Sequence, residues 1–181
     1  YSAPTEEGFW AVDPVDGTTN FSYGQPIWGI TAGYIKDEEI VVGVIVLPDL
    51  DEVYVAELGQ GSYANGRRIP QIPRGDILQS HLVAHGDSRQ RFVGKVPGKS
   101  RHIGAFVAEA SFVATQRCRA MITGRIQMYD AAAGLLLCRE CDAEVRMVSG
   151  ADFRVKDWLA DVRCEPIYVG PSASNFPFGT D

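Results

Sequence analysis

Over the first third of the chain, apolar runs alternate with turn chemistry. Phe9 to Val12, Ile27 to Tyr34, Ile40 to Leu47 and Glu52 to Glu57 are short and rich in β-branched and aromatic residues. Between them lie Lys36-Asp-Glu-Glu39, Pro48-Asp-Leu-Asp51, Gly59-Gln-Gly61 and the hairpin dipeptide Asn65-Gly66. Runs of this length with this punctuation predict strands joined by tight turns, hence an antiparallel meander. Phe9 to Val12 is expected to be a short buried strand that holds whatever follows it rigidly.

The pattern changes after Gly75. Residues 75–100 are rich in glycine, proline and charge around a β-like Leu82 to Ala84, and mark a boundary between halves 1–75 and 76–181. Beyond it, Gly104 to Ala114 predicts a helix packed on a sheet. Ala131 to Cys138 is helix-prone and almost wholly apolar, which predicts a helix buried all round. Met121 to Gly124 leads into it as strand or turn, and Ala143 to Val148 and Pro166 to Val169 read as strands. The expected architecture is a layered α/β fold with an antiparallel first sheet and a mixed second one.

Composition narrows the partners. The net charge is −6 and no basic block occurs, so a nucleic-acid backbone is not an expected partner. No apolar run approaches a membrane-spanning length and no signal peptide opens the chain, so a cytoplasmic location without membrane contact is expected. Cys138-x-x-Cys141 lacks a second cysteine pair or a close histidine pair to complete a zinc set. It reads with Cys118 and Cys164 as ordinary thiols of a reducing compartment. Arg89, Arg91, Lys95 and Lys99 read as a solvated loop ahead of an anion site; His85 stands where a strand end could bring polar groups to a cleft, but reads as an exposed loop histidine ahead of a functional one.

Chemistry concentrates at Trp10-Ala-Val-Asp-Pro-Val-Asp-Gly-Thr-Thr-Asn-Phe21. Pro14 suits the second position of a type I turn with Asp13 first and Asp16 fourth. Such a turn would fold both carboxylates toward one point, and Gly17 would let backbone approach a ligand. Two hard oxygen anions beside backbone N–H groups and a hydroxyl make a candidate site for Mg²⁺ carrying a phosphate. Far downstream, Asp130 heads the apolar helix in Tyr129-Asp130-Ala-Ala-Ala-Gly134. There it can cap backbone N–H groups.

These stretches resemble the signatures of the inositol monophosphatase family, in the wider group of Mg²⁺-dependent, lithium-sensitive sugar phosphatases. Residues 13–21 match the first signature throughout. Asp130 to Gly134 match the second, with Tyr129 in place of its tryptophan, and Arg101-His-Ile-Gly-Ala105 resembles the intervening Arg-x-x-Gly segment. The resemblance implies hydrolysis of a small sugar or polyol phosphate, inositol monophosphate first and fructose 1,6-bisphosphate as the alternative. It implies Asp13, Asp16, Asp130 and the Val15 carbonyl as Mg²⁺ ligands. By the same resemblance Gly17 and Thr18 receive the phosphate, Thr18 and Asp16 act in catalysis, and Gly104 and Ala105 line the substrate. A homodimer is likewise a family expectation.

The sequence also departs from the family pattern. Twelve residues precede Asp13, so the family's upstream Glu-Glu pair, its N-terminal helices and a supporting aspartate are expected to be missing; Glu7 is a poor substitute. Thr123 falls where inositol phosphatases place a glutamate for the sugar hydroxyls. Two further readings therefore stand beside the enzyme: a catalytically impaired, truncated homologue that binds metal and phosphate, and an interaction module pairing through an uncovered sheet edge.

Overall fold

The computed structural model describes residues 7–86, 96–124, 126–156, 166–173 and 175–179. Six strands, β1 Phe9–Asp16, β2 Gly29–Lys36, β3 Glu39–Leu47, β4 Glu52–Glu57, β5 Gly61–Ala64 and β6 Arg67–Arg68, pair in chain order. Every pairing in this first sheet is antiparallel. The tight turns follow from the expected residues. Asp37 and Glu38 take φ of 51° and 62°, and Asn65 and Gly66 take 46° and 73°, the left-handed pairs that hairpin twist requires.

The second sheet runs β10-β11-β9-β7-β8, from β7 Leu82–His85, β8 Lys99–Arg101, β9 Ala120–Thr123, β10 Glu144–Met147 and β11 Ile167–Gly170. It is mixed: β7 pairs parallel with β8 and β9, whereas β11 pairs antiparallel with β9 and β10. Helices α2 Phe106–Ala114 and α3 Met128–Arg139 pack on each other and touch strands of both sheets. A helix sandwiched in this way has little surface left for solvent, which explains why most residues of α2 and α3 are buried and apolar.

Small residues let α3 lie directly on the first sheet. Ala11, Gly33, Gly43 and Ala56 are register partners across four strands and form one row on the inner face. A Cβ on Gly33 would stand 2.6 Å from the Ala132 Cβ, and one on Gly43 would stand 2.9 Å from the Ala133 Cα. The alanine-rich stretch of α3 fills that channel and brings its N-terminus over β1.

Three expectations need correction. Phe9 to Val12 is strand, but it is an edge strand rather than a buried one: only Ala11 is buried, while Trp10 and Val12 are 55% and 51% exposed. His85 is not an exposed loop residue; it ends β7 and is buried. Residues 13–16 form no type I turn. They continue β1 through a bulge, as shown below. Arg89, Arg91, Lys95 and Cys164 lie outside the described residues, and the other three cysteines are buried free thiols.

Candidate metal centre

In a regular strand, residues three apart point to opposite faces, so Asp13 and Asp16 could not meet. The register resolves this. Asp13 opposes Thr31 and Asp16 opposes Gly29, so three steps on β1 match two on β2. The extra residue is a β-bulge, which resets the alternation and turns both carboxylates to the inner face. An Asx-type bond secures it, as the Val15 N–H donates to Asp13 Oδ1 at 2.9 Å. Proline is at home in such an unpaired position, where no ladder donor is needed.

Gly17 then adopts φ 81° and starts the short helix α1 Thr18–Ser22. A side chain there would be strained and would press to 2.7 Å from the Ala105 Cβ, so glycine is required for both reasons. Asn20 fixes the exit of this helix: its amide donates to the Ile27 carbonyl at 2.7 Å and the Ile103 carbonyl at 2.9 Å. The motif is thereby tied to the Arg-x-x-Gly segment 83 residues away.

Asp130 arrives on α3. The helix begins earlier than expected: Gln127 is its N-cap, without a side-chain cap bond, and Asp130 sits in the first turn. Its carboxylate reaches back to the Gln127 backbone, the acidic half of a capping box, so it supports the helix from inside rather than capping it from the end. Carboxylate oxygens of Asp13, Asp16 and Asp130 all lie within 4.8 Å of one another. No other such cluster of acids, histidines or cysteines occurs among the described residues.

Charge crowding shows in the titration. Burial pushes the Asp16 carboxyl from its ordinary 3.8 up to about 6, helped by the charge of Asp13 and opposed by the Val107 N–H. That N–H, in the first turn of α2, donates to Asp16 Oδ2 at 2.7 Å. Asp130 is raised as well, by burial first, then by its hydrogen bond to Asp13 and the Asp16 and Asp13 charges. A hard divalent cation is the natural counter-charge for such a set, and an all-oxygen donor group suits Mg²⁺, Mn²⁺ or Ca²⁺.

A cleft of about 480 Å³ opens beside the carboxylates, within the usual range for a small ligand. Asp16 and Asp130 line it together with Gly104 and Ala105, the two positions expected near the substrate. Thr123 lines it too. Thr18 and Gly17 are not among the lining residues; their neighbours Thr19 and Asn20 are. Sequence reasoning missed His102 and Glu109. Glu109 is 2% exposed, and a lone acid inside Phe-Val-Ala-Glu-Ala-Ser-Phe was the available signal. His102 had none, since only the fold brings its Nδ1 to 3.0 Å from the His85 carbonyl.

The profile of the inositol monophosphatase family matches residues 1–166, and the chain belongs to that family. It is 32% identical over 149 residues to a fructose-1,6-bisphosphatase/inositol-1-monophosphatase of Thermotoga maritima, covering 79% of this chain and 58% of that protein. It is 33% identical over 153 residues to an inositol-1-monophosphatase of Mesorhizobium japonicum, covering 78% and 57%. The chain thus spans less than two thirds of the length of these curated relatives. Among solved structures, the extragenic suppressor protein suhB of Bartonella henselae superposes with a TM-score of 0.77 at 30% identity, over 90% of this chain and 66% of that one. An IMPase of Thermotoga maritima superposes with 0.79 at 26%, over 93% and 65%.

Proposed function

We propose that this chain is a Mg²⁺-dependent phosphoric monoester hydrolase for a small sugar or polyol phosphate, with inositol monophosphate as first substrate and fructose 1,6-bisphosphate as second. One observation carries the reading: the bulge in β1 and the first turn of α3 deliver three carboxylates within 4.8 Å of one another, and two of them, Asp16 and Asp130, line a ligand-sized cleft. Relatives named for both substrates support the substrate class. The first substrate carries one phosphate and several hydroxyls, and the polar lining at Thr19, Asn20 and Thr123 suits hydroxyls.

In this reading Asp13, Asp16, Asp130 and the Val15 carbonyl hold the cation. When bound, Mg²⁺ would neutralise phosphate charge and lower the pKa of a water it carries. The chain's own work is positioning. The Val107 N–H anchors one oxygen of Asp16, and the Val15 N–H anchors one oxygen of Asp13, so each carboxylate is held before substrate arrives. Backbone N–H groups of Gly17 and Thr18 receive phosphate oxygens, and the Thr18 hydroxyl with Asp16 orients the attacking water. Gly104 and Ala105 face the sugar. Buried free cysteines fit a cytoplasmic location, and a homodimer goes with the family.

The test is Mg²⁺-dependent phosphate release from inositol 1-phosphate and fructose 1,6-bisphosphate, with Asp130→Asn as control. Release that needs Mg²⁺ and vanishes in the variant is expected. A second reading, a binding module for metal and phosphate, is favoured by the count of clustered carboxylates, three among the described residues. Cation binding without turnover would select it.

A further inference from the structure

The inner face of β2 carries one polar side chain, Thr31, between two glycines at i−2 and i+2. Thr31 is 1% exposed, and its Oγ1 has no hydrogen-bond partner among the described residues. A buried hydroxyl in that condition costs stability, and valine has the same shape without the cost. The hydroxyl therefore calls for a role.

Its position supplies one. Thr31 is the direct cross-strand partner of Asp13, so the two side chains stand side by side on the inner face. The glycines on either side mark what lies above. A Cβ on Gly29 would meet Val107 at 3.0 Å, the residue whose N–H holds Asp16. A Cβ on Gly33 would meet Ala132, two residues after Asp130. Thr31 thus sits beneath the junction of α2 and α3, next to Asp13, where the three carboxylates converge.

We propose that Thr31 is a positioning residue of the metal centre: its hydroxyl donates to the Asp13 carboxylate when that carboxylate engages a divalent cation. The inference rests on the metal reading above. A ligating carboxylate held by an outer hydrogen bond keeps its orientation and its basicity, and loss of such a partner typically costs ~10–100-fold in metal affinity. Outside the acidic cluster, Asp13 already accepts one such bond, from the Val15 N–H. Thr31 adds the second from the neighbouring strand.

The experiment is Mn²⁺ titration of the wild-type chain, Thr31→Val and Thr31→Ser, read by electron paramagnetic resonance of the free ion, with metal-free melting temperatures measured in parallel. Thr31→Val is expected to bind Mn²⁺ at least ~10-fold more weakly while its metal-free melting temperature holds or rises. Thr31→Ser, which keeps the hydroxyl, should stay near wild type. Equal Mn²⁺ affinity in Thr31→Val and wild type would overturn the assignment, as would a loss in both variants or a loss that tracks a lower metal-free melting temperature. No Mn²⁺ binding by wild type would remove the metal reading itself, a failure distinct from that of Thr31 alone.

Discussion

On the first sheet, Ala11, Gly33, Gly43 and Ala56 form the row that faces the helices, and Val12, Ala32, Val44 and Val55 form the adjacent row that faces away. The strands are the same and the apolar character is similar. What differs is size and consequence. Inward, side chains shrink to hydrogen and methyl so that α3 can approach, and Asp130 is placed by that approach. Outward, larger side chains fill no complementary shape among the described residues, with Trp10 tilted against Tyr34 at 5.1 Å between ring centroids and Val53, Val55 and Ile30 about 40% exposed. One face is fitted to a helix to within a methyl group, and the other is β-prone surface.

Four perturbations separate the faces, and Asp130→Asn should have the largest effect. It removes a charge from the inner site without changing shape, so phosphate release should fall to background and Mg²⁺ should no longer raise the melting temperature. Metal-free, the same variant should melt higher than wild type, because the carboxylate it replaces is half-buried beside two others. A metal-free melting temperature that drops would show that the bond from Asp130 back to the Gln127 backbone outweighs the crowding of the three carboxylates.

Next in size comes the pH dependence of the metal-free chain. The Asp16 pKa is raised on folding, from 3.8 to about 6, so between those values the folded state binds more protons than the unfolded one. Stability is therefore greatest below about pH 4 from this group and is lost as pH rises toward 6, by on the order of 3 kcal/mol. Asp130 is raised too and adds a loss of the same sign. Urea unfolding across this range, with and without Mg²⁺, checks the sign: the metal-free curve should fall with pH and the Mg²⁺ curve should diverge upward from it. A metal-free stability that rises over the window would reject the burial argument.

Gly33→Ala tests the channel itself. The added methyl would stand 2.6 Å from the Ala132 Cβ and 3.2 Å from the Ala133 nitrogen, so α3 must lift. Overpacking of this kind costs about 1–3 kcal/mol, which urea unfolding would read. Because α3 carries Asp130, Mg²⁺ affinity should fall with it. Unchanged affinity at reduced stability would mean that the helix tilts about its N-terminus rather than lifting from the sheet.

The channel also shows where sequence stopped being informative. Strand and helix positions were legible from periodicity and punctuation, and α3 was legible as buried because no face of Ala131 to Cys138 is polar. Asp13, Asp16 and Asp130 were legible as a set only through the family signatures. The bulge was not, since Asp-Pro-Val-Asp-Gly satisfies turn chemistry and bulge chemistry equally; only the pairing with β2 decides. Edge position was equally hidden, because Phe-Trp-Ala-Val reads as core until the strand on one side is known to be missing from the described sheet. Thr31, His102 and Glu109 acquire meaning from tertiary neighbours that no local window contains.

The smallest effect is expected outside. Val55→Thr keeps the β-branched shape and adds a hydroxyl on a side chain that is 40% exposed, where water can satisfy it. Its inner neighbour on β4, Tyr54, is 1% exposed and its hydroxyl is bonded to Glu52 at 2.6 Å, so the two faces of one strand differ in what they tolerate. Val55→Thr should change unfolding free energy by no more than ~0.5 kcal/mol, as surface substitutions do, and leave Mg²⁺ affinity untouched. A cost above about 2 kcal/mol, the range of buried-site substitutions, would mean that the outer face is packed in solution. The contrast would then lie between two buried faces with different partners, not between core and surface.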